Sequence, residues 1–463
     1  MDINKIGSSK IQQQTSIAGQ AQSSVKKTEN KTVGTPKDKV DIGEQAPQDP
    51  GMKPKKKWLF MNYVAADCNL TKYQLNNLDQ QEKVGSDSDT HIVAYVDVGP
   101  HPAPMDHGTK EGEQTPGQWQ GCRTLYITKD DEVGKLNSEI IEEHGDKVDM
   151  SSPATLKKFV VDAMKRFPAD NVALIFNDHG GGFTGAMSDE SDGDFMSLPQ
   201  MRQALTEAQE ETGKKLDIIG FDACLMAGTE IAYELKEVGN ILLAAEENEG
   251  GPGWTYDSML GGRTLGQAIQ RTQNNLHKGI NVSPYEFAKV VVEVNEQHND
   301  DIPTFSATDM YRMDFLKNTT EKLAQAIKKT DDKQAIKDAI GVTENYGGGW
   351  SPYNDMRDLH HLSRNIVEKT ADEAVKKAAL NVTKAVEEVV FANEVNPETH
   401  PESKGLHIYA PTEGSFGEDY TALQFAKDTH WDEAIESLGV RFDPTKKGPK
   451  VWPDGSARKP KQK

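Results

Sequence analysis

The chain has 463 residues, of which 35% are hydrophobic and 27% are charged, and its formal net charge is −20. No segment approaches the roughly 18 consecutive apolar residues of a membrane-spanning helix, which argues against such a helix. Its three cysteines, Cys68, Cys122 and Cys224, show no C-x-x-C spacing and are too few for a disulfide framework. A disulfide-stapled scaffold and a zinc site built from several cysteines are therefore not expected.

The charge is distributed unevenly along the chain. Residues 1–57 hold 11 Lys and 6 acidic residues (+5), and residues 444–463 hold 7 basic residues and Asp454 (+6), which leaves −20 − 5 − 6 = −31 between them. An acidic body of that size repels phosphates, so a nucleic-acid partner is not expected. The two ends are poor in apolar residues and are predicted to be a disordered basic leader and a disordered basic tail.

The first 20 residues contain no apolar run of the kind found in secretory signals. The default expectation is therefore a cytoplasmic protein without a membrane partner. A Ser-, Gln- and Thr-rich leader is also compatible with export by a route that does not read a hydrophobic signal, such as type III secretion.

Short apolar segments alternate with helical patterns up to about residue 265. This alternation predicts an α/β domain over residues 58–265, with a mainly parallel sheet covered by helices on both faces. The predicted strands span 58–64, 91–98, 123–127, 172–177, 216–222 and 241–245, and the predicted helices span 152–166, 198–212 and 225–238.

The pattern changes beyond residue 265. Long amphipathic segments dominate there, with only two further strand candidates at 304–308 and 406–410. We expect residues 266–443 to form a mostly helical C-terminal region packed on the sheet, with helices at 284–297, 313–329 and 372–390.

Chemically distinctive residues follow two of the buried strands. His179 and three glycines come directly after the strand at 172–177, and Asp222-Ala-Cys224 ends the strand at 216–222. In open parallel sheets, ligands bind beyond the carboxyl ends of the strands. A cysteine at the start of the predicted helix 225–238 would lie in a positive dipole field, which lowers its pKa.

The segment between these motifs has room for one loop and one helix, as in a single right-handed crossover between neighbouring or near-neighbouring parallel strands. His179 and Cys224 should then lie side by side, as nucleophilic catalysis by a thiol requires. Cys224 would attack a carbonyl group, and His179 would protonate the leaving amine. The backbone N–H groups of Gly180 and Cys224 are candidates for the oxyanion hole.

Several motifs together resemble the clostripain family of cysteine peptidases, which are relatives of caspases, gingipains and legumains. The resemblance spans about residues 58–438. It is carried by WLFMNY (58–63), FPAD (167–170), NDHGGG (177–182), DACLMA (222–227), EGGPGWTY (249–256), GLHIYAP (405–411) and THW (429–431).

This resemblance implies a caspase-like three-layer α/β/α sandwich with a helical C-terminal region. It also implies a monomeric thiol endopeptidase with a His179–Cys224 dyad that cleaves after Arg, or sometimes Lys. Asp222 would lie in the pocket for the basic side chain, where a buried carboxylate facing a guanidinium gives selectivity. Glu249 and Asp257 are both candidates for a second acidic residue in that pocket.

Two features bear on activation and cofactors. The loop 183–197 lacks the Lys or Arg at which family members commonly cut themselves, so the lysines at 53–57 are the candidate self-cleavage segment. No cofactor and no metal ligand set is required. The acidic residues at 189–194 offer oxygen ligands that would suit calcium, and the alternative is a solvated acidic loop.

Two other functions compete with a peptidase. His-Gly-Gly-Gly also occurs in the oxyanion hole of α/β-hydrolase esterases, but that fold needs a G-x-S-x-G nucleophile elbow and the sequence has none. A non-catalytic relative that binds basic peptides is the second alternative. Turnover of an Arg substrate that depends on Cys224 would separate it from the peptidase.

Overall fold

The computed structural model describes residues 51–99, 119–189, 191, 194–254, 256, 265–294, 302–347 and 355–446. All described residues belong to one compact unit, which lies within Asp49–Lys463. Among the described helices, none has the length and apolar character needed to cross a membrane. Most of the predicted leader (residues 1–50) and tail (residues 447–463) lies outside the described residues.

The described strands, in chain order, are β1 (Lys56–Ala66), β2 (Thr90–Val98), β3 (Gly121–Tyr126), β4 (Glu139–Gly145), β5 (Ala169–Asn177), β6 (Ala186–Asp189), β7 (Asp194–Met196), β8 (Leu216–Asp222), β9 (Gly239–Ala244), β10 (Thr304–Asp309), β11 (Asn345–Tyr346), β12 (Met356–Asp358), β13 (Val390–Val395), β14 (His407–Tyr409), β15 (Ser415–Phe416) and β16 (Arg441–Phe442).

The described α-helices are α1 (Thr71–Glu82), α2 (Pro153–Arg166), α3 (Leu198–Thr212), α4 (Thr229–Leu235), α5 (Leu265–Leu276), α6 (Pro284–Val294), α7 (Met313–Lys329), α8 (Lys333–Val342), α9 (Leu359–Lys369), α10 (Glu373–Val389), α11 (Glu418–Thr421), α12 (Gln424–Asp428) and α13 (Trp431–Ser437).

Nine strands form one large sheet in the order β13-β10-β9-β8-β5-β1-β2-β3-β4. The five central strands, β9, β8, β5, β1 and β2, are parallel. The outer pairs β9–β10, β10–β13, β2–β3 and β3–β4 are antiparallel. The sheet is therefore mainly parallel at its centre, as predicted, with antiparallel edges.

Helices cover both faces of this sheet. Alternate residues of β1 point to opposite sides: Leu59, Met61 and Tyr63 belong to the core beneath α2, α3, α4, α7 and α10. Trp58 and Phe60 belong to the core beneath α1, α5 and α6. Because successive strand side chains alternate between faces, a strand that is apolar throughout must be covered on both. The fold is the caspase-like three-layer α/β/α sandwich expected from the sequence.

Most predicted elements are present with ends shifted by a few residues. The helices at 198–212 and 313–329 and the strand at 216–222 have the predicted bounds. The C-terminal residues supply the helices α7 to α10 and also two strands of the main sheet, β10 and β13. The partition into domains at residue 265 stays a prediction.

The boundary of the predicted disordered leader at residue 57 is wrong. Strand β1 begins at Lys56, whose Nζ donates hydrogen bonds to the carbonyl oxygen of Thr90 (3.1 Å) and to the hydroxyl of Tyr126 (3.0 Å). The N–H of Lys53 donates to the carbonyl oxygen of Arg166 over 2.8 Å. A basic segment can be ordered when acceptors from neighbouring strands and loops satisfy its ammonium groups.

Candidate active site

The two predicted motifs lie at the same edge of the sheet. Strands β5 and β8 are parallel neighbours, and Asn177 pairs with Asp222 in the last register position of both. His179 and Cys224 each follow two residues later, so they leave the sheet side by side. The intervening crossover contains α3 and the two-stranded ribbon β6–β7. The predicted neighbour relation between the two strands is confirmed.

Gly180 brings the backbones of the two motifs into contact. A Cβ atom at this position would lie 2.1 Å from the carbonyl oxygen of Cys224, which is far inside van der Waals distance. Only glycine permits this approach. The glycine after the histidine therefore allows the histidine loop to pack directly on the cysteine loop.

A pocket of about 360 Å³ opens where the motifs meet. His179, Cys224 and Asp222 line it. One wall comes from Asn69 and the residues after it at the start of α1, and the opposite wall is the loop 248–253. The pocket lies beyond the carboxyl ends of β1, β5 and β8, where parallel sheets bind ligands.

His179 is buried and is held by a residue that the sequence reasoning did not single out. Its Nε2 lies 2.7 Å from Oδ1 of Asn69, just beyond the end of β1. Because an amide oxygen only accepts hydrogen bonds, Nε2 of the neutral ring carries the proton and Nδ1 carries the lone pair. The signal that could have found Asn69 is its place after a third strand at the same sheet edge.

Cys224 is not at the start of a helix, so the predicted dipole effect on its thiol is wrong. Helix α4 begins only at Thr229. The N–H groups of Leu225 and Ala227 instead donate to the carbonyl oxygens of Glu247 (3.2 Å) and Ala245 (2.8 Å), which keeps residues 223–228 out of the helix. Burial raises the pKa of the Cys224 thiol to about 12. The resting thiol is therefore protonated at neutral pH.

The backbone around the nucleophile candidate is constrained from two sides. Leu225 has φ +65°, a conformation that is costly for a residue with a branched side chain. His407, from β14, donates from its N–H to the carbonyl oxygen of Ala227 (3.0 Å) and from Nε2 to that of Leu225 (2.8 Å). Burial lowers the pKa of His407 to about 4, so the ring stays neutral while it donates.

Asp222 is a buried residue of the pocket lining and accepts several hydrogen bonds. Its Oδ1 accepts from the N–H of Trp254 (2.8 Å), and its Oδ2 accepts from Nδ2 of Asn177 (2.5 Å) and the hydroxyl of Tyr256 (2.8 Å). Burial raises the pKa of Asp222 to about 6, although these donors favour the charged form. The carboxyl is thus fixed in position and titrates close to neutral pH.

Glu249 is the second acidic group in this pocket. Its N–H donates to Sγ of Cys224 over 3.3 Å, and its Oε1 accepts from Nε1 of Trp254 over 3.3 Å. Burial and the neighbouring Asp222 hold the pKa of Glu249 well above its usual range. Each of the two neighbouring carboxyl groups therefore disfavours the charged form of the other. Asp257, the other predicted candidate, lies outside the described residues.

The acidic segment 189–194 is only partly described. Asp189 points inward, and its carboxylate lies within 4.8 Å of those of Asp67 and Asp97, all three buried. Sequence spacing did not connect Asp67 or Asp97 with this segment, because they follow or end different strands. Carboxylate oxygens are the ligands calcium prefers. A calcium requirement stays a prediction.

Comparison with known proteins identifies the family and agrees with the fold. The clostripain family profile matches residues 62–438. Clostripain of Hathewaya histolytica is 24% identical over 444 residues, which cover 83% of this chain and 81% of clostripain.

Solved structures of cysteine proteases share the fold. A secreted C11 cysteine protease from Bacteroides thetaiotaomicron, "iotapain", superposes with a TM-score of 0.56 at 13% identity and covers 81% of this chain and 100% of its own. A secreted C11 cysteine protease from Bacteroides thetaiotaomicron in complex with an irreversible peptide inhibitor gives a TM-score of 0.57 at 17% identity, and the match covers 82% of this chain and 99% of that one. An inactive zymogen C11 protease from Parabacteroides distasonis gives a TM-score of 0.54 at 16% identity, with 82% and 99% coverage.

Proposed function

This chain belongs to the clostripain family of cysteine peptidases, and we propose that it is an endopeptidase that cleaves after Arg or Lys through His179 and Cys224. The observation that carries the proposal is the pocket in which a histidine, a thiol and a buried acidic pair converge. His179 and Cys224 supply the reacting groups. Asp222 and Glu249 make the pocket acidic.

The thiol begins the reaction in its protonated form. As Sγ of Cys224 attacks the substrate carbonyl carbon, an S–C bond forms and the thiol proton moves to Nδ1 of His179. The imidazolium then passes this proton to the amide nitrogen as the C–N bond breaks, which leaves an acyl-enzyme. A water molecule gives one proton to His179 and attacks the thioester, and the thiolate departs and recovers the proton.

The oxyanion that forms in each step needs hydrogen-bond donors. The N–H groups of Gly180 and Cys224 are the candidates, because the two backbones lie in contact at this point. Donors that are already fixed in position stabilise developing charge without reorganisation. The Cys224 loop is held in place for this role by two sets of hydrogen bonds. Its carbonyl groups accept from His407, and its N–H groups donate to the carbonyl oxygens of residues 245 and 247.

The acidic pair accounts for selectivity. Asp222 and Glu249 disfavour each other's charged form, so we expect the empty pocket to retain a proton. A guanidinium placed between them would stabilise both carboxylates and release that proton. Arg presents a planar fork of donors suited to two carboxyl groups, whereas Lys acts as a point charge. We therefore expect Arg to be preferred over Lys.

Self-processing remains part of the proposal, but the position of the cut changes. The peptide groups near Lys56 and Lys57 are hydrogen-bonded into the sheet, and Nζ of Lys55 and Lys57 pair with Asp170 at 2.7 and 3.0 Å. An extended substrate strand cannot form there without removing β1 from the sheet. Any self-cleavage of the leader is therefore proposed to occur before residue 51.

Matched peptides with Arg, Lys, Asp or Ala before the scissile bond test this function. We expect turnover in the order Arg, Lys and then the others at background, and complete loss in Cys224→Ala. Cys122→Ser, which removes a buried thiol elsewhere, is the control. Mass determination of the incubated enzyme would locate a self-cleavage site. Equal turnover of all four peptides, or Arg turnover that survives Cys224→Ala, would contradict the proposal.

Protein and peptide substrates are the partners that this family membership supports. The monomeric state and the cellular location, cytoplasmic or exported without a hydrophobic signal, stay predictions.

A further inference from the structure

A second thiol lies behind the histidine of the active site. The Sγ atom of Cys68, a carboxylate oxygen of Asp178 and a ring nitrogen of His179 lie within 4.8 Å of one another, and all three residues are buried. Cys68 follows β1, whereas Asp178 and His179 follow β5, the neighbouring strand. The cysteine spacing could not reveal this cluster, because it combines one cysteine with ligands from a different strand.

We propose that Cys68, Asp178 and His179 bind a zinc ion, and that the bound ion holds the peptidase inactive. Thiolate, imidazole and carboxylate are the three ligand types that proteins use for Zn²⁺. With Zn–S of about 2.3 Å and Zn–N or Zn–O of about 2.0 Å, tetrahedral ligand atoms lie roughly 3.3–3.8 Å apart. The three atoms here therefore need to approach by at most about 1.5 Å, which is within reach of side-chain rotation.

Asp178 is suited to a ligand role. Its Oδ2 accepts hydrogen bonds from the backbone and the hydroxyl of Ser188. Its Oδ1 is buried and makes no well-formed hydrogen bond in the described part of the chain, although the backbone N–H of His179 and the weak S–H donor of Cys68 both lie near the carboxyl group. A buried carboxylate oxygen without a well-formed hydrogen bond is costly, and a cation would compensate it. This observation points to a ligand independently of the clustering.

The site has an entry path and an outer shell. Asp178 and His179 both line the active-site pocket, so an ion from solvent can reach them. Zinc-binding histidines commonly direct their other ring nitrogen to an oxygen acceptor, and Asn69 provides one for His179. On binding, a Zn–S bond forms as the Cys68 thiol releases its proton to solvent.

Inhibition follows from the role of His179, and this part of the inference rests on the proposed function. A zinc-bound imidazole has lost the lone pair that would accept the proton of Cys224. Zinc at this site would therefore stop the first step without touching the nucleophile. Removal of the ion restores the free base, so the inhibition is reversible.

Metal binding can be tested without measuring activity. The chain has three cysteines, so the full-length Cys122→Ser/Cys224→Ala variant keeps Cys68 as its only thiol. We expect one Zn²⁺ per chain in titration calorimetry, and a thiolate-to-cobalt charge-transfer band when Co²⁺ is used instead. Further substitution of Cys68→Ser should abolish the band and weaken zinc binding by at least about tenfold. Circular dichroism of each variant checks folding.

The outcomes separate this proposal from the proposed function. A cobalt complex without the charge-transfer band in the Cys68-only variant, or zinc binding that Cys68→Ser leaves unchanged, would overturn the zinc site whatever the peptidase activity. In activity assays, the rate of each variant in the presence of zinc is normalised to the rate of the same variant without zinc. Cys68→Ser should raise the zinc concentration for half-inhibition at least about tenfold. An unchanged value would mean that zinc acts through the nucleophile directly.

Discussion

The charge of Asp222 can be removed without changing its size. Asp222→Asn keeps one acceptor oxygen for the hydroxyl of Tyr256, places an amide NH₂ group opposite the N–H of Trp254, and withdraws the carboxylate from a substrate guanidinium. Breaking a buried charge pair by removing one partner costs about 3–5 kcal/mol. Because Glu249 still provides one acidic group in the pocket, we take the lower end, about 3 kcal/mol. At 1.36 kcal/mol per factor of ten, kcat/KM for an Arg substrate should fall about 150-fold.

The comparison that isolates the charge uses two peptides differing only in Arg or citrulline, its neutral isostere, before the cut. For citrulline, Asp222→Asn should lower kcat/KM only about fivefold, corresponding to about 1 kcal/mol for the lost hydrogen bond from Trp254, because no ion pair is broken. Asp217→Asn, on the same strand but at its other end, is the control and should leave both peptides unaffected. Equal losses for Arg and citrulline would mean that Asp222 supports the fold of the pocket and does not select the side chain.

The same pair predicts a pH dependence. The pKa of Asp222 is raised to about 6, so the free enzyme gains protons in the pocket as the pH falls through 6 and loses its attraction for a cation. We expect kcat/KM for the Arg peptide to decrease below about pH 6 with a slope that the citrulline peptide lacks. An identical acid limb for both peptides would assign it to another group.

Three further predictions concern residues around the dyad. Asn69→Ala should lower kcat about fivefold and leave KM unchanged, because the hydrogen bond that orients His179 contributes about 1 kcal/mol. Asn69→Asp should recover activity. Equal losses in both variants would refute an orienting role. Gly180→Ala should cost about 1–3 kcal/mol of stability in denaturant titration and most of the activity, whereas Gly341→Ala, which meets no atom within 4 Å, should cost neither. Calcium chelation should reduce activity, and Asp189→Asn should weaken the response to added calcium; activity that chelation leaves intact would refute a calcium requirement.

The central sheet and the two motifs were predictable because their signals are local. The central residues of β5 (172–176) and β8 (218–221) carry no polar side chain and are buried, which is typical of strands covered on both faces, and each strand leads directly into the residues of interest. The edge strands gave no such signal. Strand β4 carries three glutamates and is mostly exposed, and β13 is only half-buried, so neither pattern resembles that of a core strand.

Other parts of the site depend on tertiary contacts that leave no periodic pattern in the sequence. Asn69 and Cys68 reach the histidine only because β1 lies beside β5 in the sheet. The late start of α4 depends on carbonyl groups of the segment 245–247, about 20 residues further along the chain, which take the N–H groups that a helix would use. Helical propensity alone could not anticipate that competition.

The hydrogen bonds from His407 to the loop that carries Cys224 have a consequence for a chain that has been cleaved. Strands β10 and β13 complete one side of the main sheet, and the imidazole of His407 bonds to the carbonyl oxygen next to Cys224. A fragment ending before residue 304 would therefore have an incomplete sheet and a loosened catalytic loop. If the polypeptide were nicked between the two portions, its pieces would migrate separately under denaturing conditions, yet they would act as one enzyme only while they remained associated.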